Sequence, residues 1–164
     1  MRKIIIGGLA GGITLYVWSF IAHLPPIGTA GERKLPPQVL AAMQPVLHER
    51  AVYIAPPFAG PSAVVAYDPH PTQIIFAWFG IELMADLAAA LLGAVIAASL
   101  SPTLGYWRRV LILAAIGLLA TIDIDAGYWN WYGYPTSYLA AQFVDHVGGW
   151  FVTGLVLARV SRPS

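Results

Sequence analysis

Cysteine is absent from this chain, and charge is scarce. Without cysteine there is no disulfide, no zinc–thiolate site, no iron–sulfur cluster and no thiol catalysis, and the redox compartment is left undecided. Lys, Arg, Asp and Glu make up only 10% of the 164 residues, against about 25% in a soluble domain of ordinary composition. The net charge of +1, with no concentrated basic face, excludes nucleic acid as a partner. No Gly-x-Ser-x-Gly elbow is present, and the Gly7–Gly12 cluster precedes no Lys-Ser/Thr pair, so the usual serine-hydrolase and phosphate-loop signatures are both missing. Internal repeats and low-complexity tracts are missing too.

What the chain has in excess is apolar sequence: 58% of it is hydrophobic, with a mean hydropathy of +0.68. Four apolar runs, at about 4–22, 74–100, 106–125 and 138–158, each approach or exceed the roughly 20 residues that cross a bilayer as a helix. The expected fold is therefore an all-α four-helix membrane bundle in a single domain, with the lipid bilayer as its surroundings. Arg2-Lys3 ahead of the first run also fits a signal peptide. A cut after Ala22 would put Phe20 where a small residue is wanted, so an uncleaved anchor is favoured. Arg2, Lys3, Arg108, Arg109, Arg159 and Arg162 all fall on one side of a four-span chain, which predicts cytoplasmic termini.

The segment 23–73 lies on the opposite side and holds ten of the thirteen prolines. Pro37 suits the first turn of a short helix carrying Val39, Leu40, Met43, Val46 and Leu47, which Pro45 then kinks. Ala51–Ala55 and Ser62–Tyr67 flank the Pro56-Pro57-Phe58-Ala59-Gly60-Pro61 turn and read as a hairpin. A lone hairpin is marginal in water, so it needs the short helix, the bundle mouth or a partner protein to lie on.

Five of the eight carboxylates, Glu82, Asp86, Asp123, Asp125 and Asp145, lie in or at the ends of the apolar runs, with no Lys or Arg beside them. Such groups face a protein interior, water, a proton or a cation, because unpaired charge in hydrocarbon costs several kcal/mol. Glu82 and Asp86 share a helix face, at depths of about 12 and 18 Å from the outer boundary. Gln142, Asp145, His146, Gly149 and Thr153 form a stripe on the fourth run, and His23 ends the first run above Ser19. The expected cluster is Glu82, Asp145, His146, His23 and one of Asp123 or Asp125, with Asp86 deeper. Asp123 and Asp125 point about 200° apart on a regular helix, so they do not both enter it.

Carboxylates and imidazole on facing helices suit a divalent cation. They equally suit a proton path, or a structural role as neutral acids bonded between helices. The Glu-x-x-His spacing of di-iron bundles is missing, and His146 is the only histidine well inside a run, which argues against a bis-histidine haem. His48 and His70, near Glu49 and Asp68, read as solvated loop histidines. Gly7, Gly8, Gly11 and Gly12 make overlapping small-xxx-small faces that let backbones meet, either inside the bundle or against another subunit, and Gly93 and Gly149 play the same part on later runs.

The closing segment, Tyr128-Trp129-Asn130-Trp131-Tyr132-Gly133-Tyr134-Pro135 and then Asp145-His146-Val147-Gly148-Gly149-Trp150, resembles that of small bacterial four-span membrane proteins with no assigned activity. The resemblance implies a bacterial inner-membrane location and brings no catalytic residues. Three roles follow from the sequence. The first is a non-enzymatic accessory or structural subunit, packing against other membrane subunits or against itself. The second is an ion, proton or metal-handling protein that uses the carboxylate–histidine seam. The third is an intramembrane enzyme acting on a lipid or quinone.

Overall fold

The computed structural model describes residues 1–55, 60–71 and 73–161. Residues 56–59 of the expected hairpin turn, and Arg162, lie outside the described residues. The elements are α1 (Arg2–Ala22), α2 (Pro37–Met43), β1 (Ala51–Ala55), β2 (Ala63–Tyr67), α3 (Ile75–Ser99), α4 (Tyr106–Ala120), a π turn (Thr121–Asp125), α5 (Ala126–Tyr132) and α6 (Thr136–Val160). Four helical stretches are long and apolar enough to cross a membrane: Arg2–Ala22, Ile75–Ser99, Tyr106–Tyr132 and Thr136–Val160. This is the build of a multi-pass membrane protein. The third stretch continues past the apolar run through the π turn and α5. It stops at Gly133, whose φ of 70° places it in the left-handed conformation that closes helices.

Packing follows the small residues. The helices stand in the order α3, α1, α6, α4, while α3 touches α6 and α4 only lightly. A β-carbon on Gly12 would come within 2.7 Å of the Leu87 Cα, and one on Gly8 within 3.1 Å of the Leu91 Cα, so these two glycines set α1 directly on α3. Gly7 and Gly11 admit Leu157 of α6 at 3.4 and 3.1 Å, and Gly93 admits Trp150 at 2.7 Å. Gly149 meets Leu15 and Trp18, both at 3.0 Å. All these glycine faces are thus filled from within the chain. The dry centre is Ala94, Ala97, Leu113 and Leu157.

The start of α1, the end of α6 and the α3–α4 connection lie at one end of the bundle, called here the terminal end; the end of α1 and the start of α3, between which the insert runs, lie at the other, the insert end. At the terminal end Arg109 is only 2% exposed. Its guanidinium donates to the carbonyls of Leu104 (3.1 Å), Ala97 (3.1 Å) and Ser101 (2.6 Å) and to Ser161 Oγ (3.4 Å). The carbonyls at the end of α3 carry the negative pole of that helix and offset the buried charge. The Arg109 side chain therefore ties α3, α4 and the end of α6 together.

In the insert, Pro36 in an extended conformation leads into Pro37 at the first helical position of α2. The helix closes at Met43, two residues before Pro45. β1 and β2 pair antiparallel from Ala51↔Tyr67 to Ala55↔Ala63, with Tyr53 and Tyr67 edge to face at 6.4 Å and Arg50 3.4 Å from Asp68. No residue of α2 is buried, nor any of β1 or β2. The loop after α1 does dock. Gly31, at φ 81°, sits against Pro135, Ser137 and Tyr138, and a β-carbon there would come within 2.7 Å of the Pro135 ring.

Candidate functional site

The insert-end half of the bundle gathers titratable side chains from every long helix. On α3, Asp86 belongs to the inward stripe that continues through Ala90, Gly93 and Ala97. It is 8% exposed, and among the described residues its Oδ2 meets no hydrogen-bond donor. Its electrostatic neighbours are Glu82 one turn away, Asp145 on α6 and His23 at the end of α1. Glu82 itself is exposed, in a groove of 230 Å³ shared with His23, Ser19 and Tyr16.

On the other flank, the π turn sets Asp125 against α6. Asp125 is 4% exposed, and its Oδ2 lies 2.9 Å from Nδ1 of His146. Thr121 Oγ1 stands 3.4 Å from the same nitrogen. The Thr121 hydroxyl already donates to the Gly117 carbonyl at 3.0 Å, so toward His146 it only accepts. Nδ1 thus faces two oxygen atoms, Asp125 Oδ2 and Thr121 Oγ1.

The π turn explains why it is Asp125 that enters. Along a regular helix Asp125 would sit about 80° around from Gly117, and the extra residue of one π turn rotates it back by about 100°. Gly117, Thr121 and Asp125 then form one buried stripe facing α6. Asp123 is exposed and lies outside the cluster. Gly117 lets the backbones close up, since a β-carbon there would overlap the His146 carbonyl.

Asp145 turns toward α1. Trp18 donates its indole N–H to the Asp145 carbonyl at 2.9 Å, which fixes α6 against α1 at this level. Asp145 lies within electrostatic reach of His23, His146, Glu82 and Asp125, so it links the two flanks. Above it, a recess of 110 Å³ is lined by His23, Glu32, Tyr138, Gln142 and Asp145. His23 is held there by its Nδ1, which donates to the Ser19 carbonyl at 2.8 Å.

The seam is therefore Glu82, Asp86, Asp125, Asp145, His23 and His146. Among the described residues, no three His, Asp or Glu side chains converge closely enough to hold a metal ion. No protein-family model, curated protein or solved structure matches the chain. The reading must therefore come from the site. The sequence singles out most of the seam, but not Thr121, Gly117, Trp18 or Glu32. The polar residues among these matter through which carbonyl or ring they meet, and spacing along one helix does not reveal that. A groove of 500 Å³ lined by Leu118, Ile122, Ala126, Leu139, Phe143 and Val144, together with the hydroxyl-bearing Thr121 and Thr136 and with Ala140, offers an acyl chain a seat and little polar chemistry.

Proposed function

We propose that the chain is a proton-handling protein of a bacterial inner membrane. Its insert end faces outward, and its carboxylate–histidine seam binds and releases protons. The orientation rests on the exposed Arg2, Lys3, Arg108 and Arg159 at the terminal end and the positive-inside rule. The observation that carries the reading is Asp86: a carboxyl group over nine-tenths buried in an apolar bundle, whose Oδ2 is unbonded among the described residues and whose electrostatic neighbours there are Glu82, Asp145 and His23. A structural acid would be bonded across to a neighbouring helix. An acid left unbonded costs stability, and intramembrane acids of that kind are kept for proton or ion traffic. The Asp125–His146 pair adds a second buried carboxyl group, 2.9 Å from an imidazole nitrogen. The test counts protons taken up by the reconstituted protein after a small acid jump. Wild type should take up protons that Asp86→Asn and Asp145→Asn variants, correctly folded, do not. Equal uptake by all three sinks the proposal.

A second reading has its own support. α2, β1 and β2 bury none of their residues, and the insert exposes Val39, Leu40, Val46, Val52 and Ile54. A two-stranded hairpin of this size is marginal alone in water, so the insert fits a partner. On this reading the chain is an accessory subunit of a larger membrane assembly. The native mass of the protein after gentle extraction tests it: a larger complex is expected, and a lone chain in every mild detergent contradicts it.

A further inference from the structure

The seam has a mouth and a floor, and they lie at different heights in the bundle. The mouth is the recess above Asp145, where Glu32 of the loop after α1 joins His23, Tyr138 and Gln142. This recess sets polar side chains of the loop, α1 and α6 together directly above Asp145. From there the titratable groups step down through Asp145, and on α3 through Glu82, to Asp86.

Beneath Asp86 the chemistry changes within one helical turn. Thr153 is fully buried, with its Oγ1 unbonded, and is the last polar side chain of the seam. The next layer is Ala90, Gly11 and Leu157, where a β-carbon on Gly11 would lie 3.1 Å from a Leu157 methyl, 3.3 Å from the Thr153 methyl and 3.4 Å from Ala90. Leu157, 1% exposed, also closes on Gly7; a recess of 410 Å³ lined by Arg2, Lys3, Ser161, Ala94 and Ala97 reaches it from the terminal end, so the apolar layer of Gly11, Ala90 and Leu157 is the barrier between that recess and the seam. Among the described residues, no buried polar side chain stands between Thr153 and Arg109.

From Asp86 to Ala97 the path along α3 is about 16 Å at 1.5 Å per residue. At the far end of that path stands a buried cation. The Arg109 guanidinium is bonded to carbonyls and a hydroxyl, and among the described residues no carboxylate is its partner. A fixed positive charge behind a dry constriction is the arrangement that keeps protons and cations out of a pore.

We infer that the seam is closed at the terminal end and exchanges protons only through the recess at the insert end, which makes it an outward-facing proton-binding element and not a conduit across the membrane. The groups that face one another in it are Glu82 and Asp86 from α3, His23 from α1, Asp145 and His146 from α6, Asp125 from the π turn and Glu32 from the loop. The inference rests on the proton-binding reading above.

Vesicles carrying the protein with its insert end outward, one pH dye in the external medium and a second trapped inside, separate the two ideas. An external acid pulse should be buffered by the protein, and Asp86→Asn should remove that buffering. The trapped dye should change no faster than in protein-free vesicles, while gramicidin collapses the gradient in the same preparation. External buffering together with internal acidification above the protein-free rate would overturn the one-sided seam and leave the proton-binding function standing. No external buffering beyond that of Asp86→Asn would remove both.

Discussion

The α-carbon of Gly117 lies so close to the carbonyl oxygen of His146 that a β-carbon would overlap it. This contact draws α4 and α6 together two helical turns before Asp125, which meets the His146 ring. A larger residue at 117 must push the two helices apart. Gly117→Val should cost about 1–3 kcal/mol, as overpacked cores do, and should loosen the Asp125–His146 pair. Gly127, which has open space around it, is the control: Gly127→Ala should leave stability unchanged or slightly improved. Thermal unfolding in detergent compares them, and an equal effect of both substitutions would contradict the packing described.

Arg109 should behave as a structural tie. Removing its side chain leaves the Ala97, Ser101 and Leu104 carbonyls without their donor, so Arg109→Leu should destabilise by about 3 kcal/mol or more. Arg109→Lys should recover only part of this, because an ammonium does not reproduce the fork that spans these acceptors. Full recovery by Lys would show that charge alone matters there.

The first-helix glycines should matter to the chain by itself. Gly8→Leu and Gly12→Leu drive a side chain into the α3 backbone at Leu91 and Leu87. The expected result is a lower unfolding temperature of the isolated protein. Unchanged stability combined with loss of a co-purifying partner would instead place the contact between subunits.

The four spans were open to reading from hydropathy, because twenty-odd apolar residues in a row leave few alternatives. Glu82, Asp86 and the Asp145-His146 stripe were legible for a related reason: a charge inside such a run stands out. Other features were hidden by three-dimensional detail. Arg109 looked like one more topology marker, and only the meeting of the α3 and α6 ends reveals it as buried. The choice between Asp123 and Asp125 turned on a single extra residue in the helix, which leaves hydropathy unchanged. The third apolar run ended near residue 125 by hydropathy, yet α5 continues the helix to Tyr132 before Gly133 ends it.

The His146 ring offers a local test of the π turn. With Asp125 as acceptor, the neutral ring should carry its hydrogen on Nδ1. Asp125→Asn can present an amide donor to that nitrogen, so the tautomer should move toward Nε2–H. Ring nitrogen chemical shifts of His146 report this directly. An unchanged tautomer would mean that Asp125 does not orient the ring.

Asp86 should show the profile of a residue kept for function at a cost to stability. Asp86→Asn removes a buried charge that has no donor on Oδ2, so the folded protein should be as stable as wild type or more so. A large loss of stability would mark Asp86 as structural.

The measurement closest to the central claim is infrared difference spectroscopy of the reconstituted protein across a pH titration, wild type against Asp86→Asn. Wild type should show a carboxylic-acid C=O band at acid pH that fades as pH rises, and the variant should lack it. A titration spectrum that is the same with and without the Asp86 carboxyl would contradict the account.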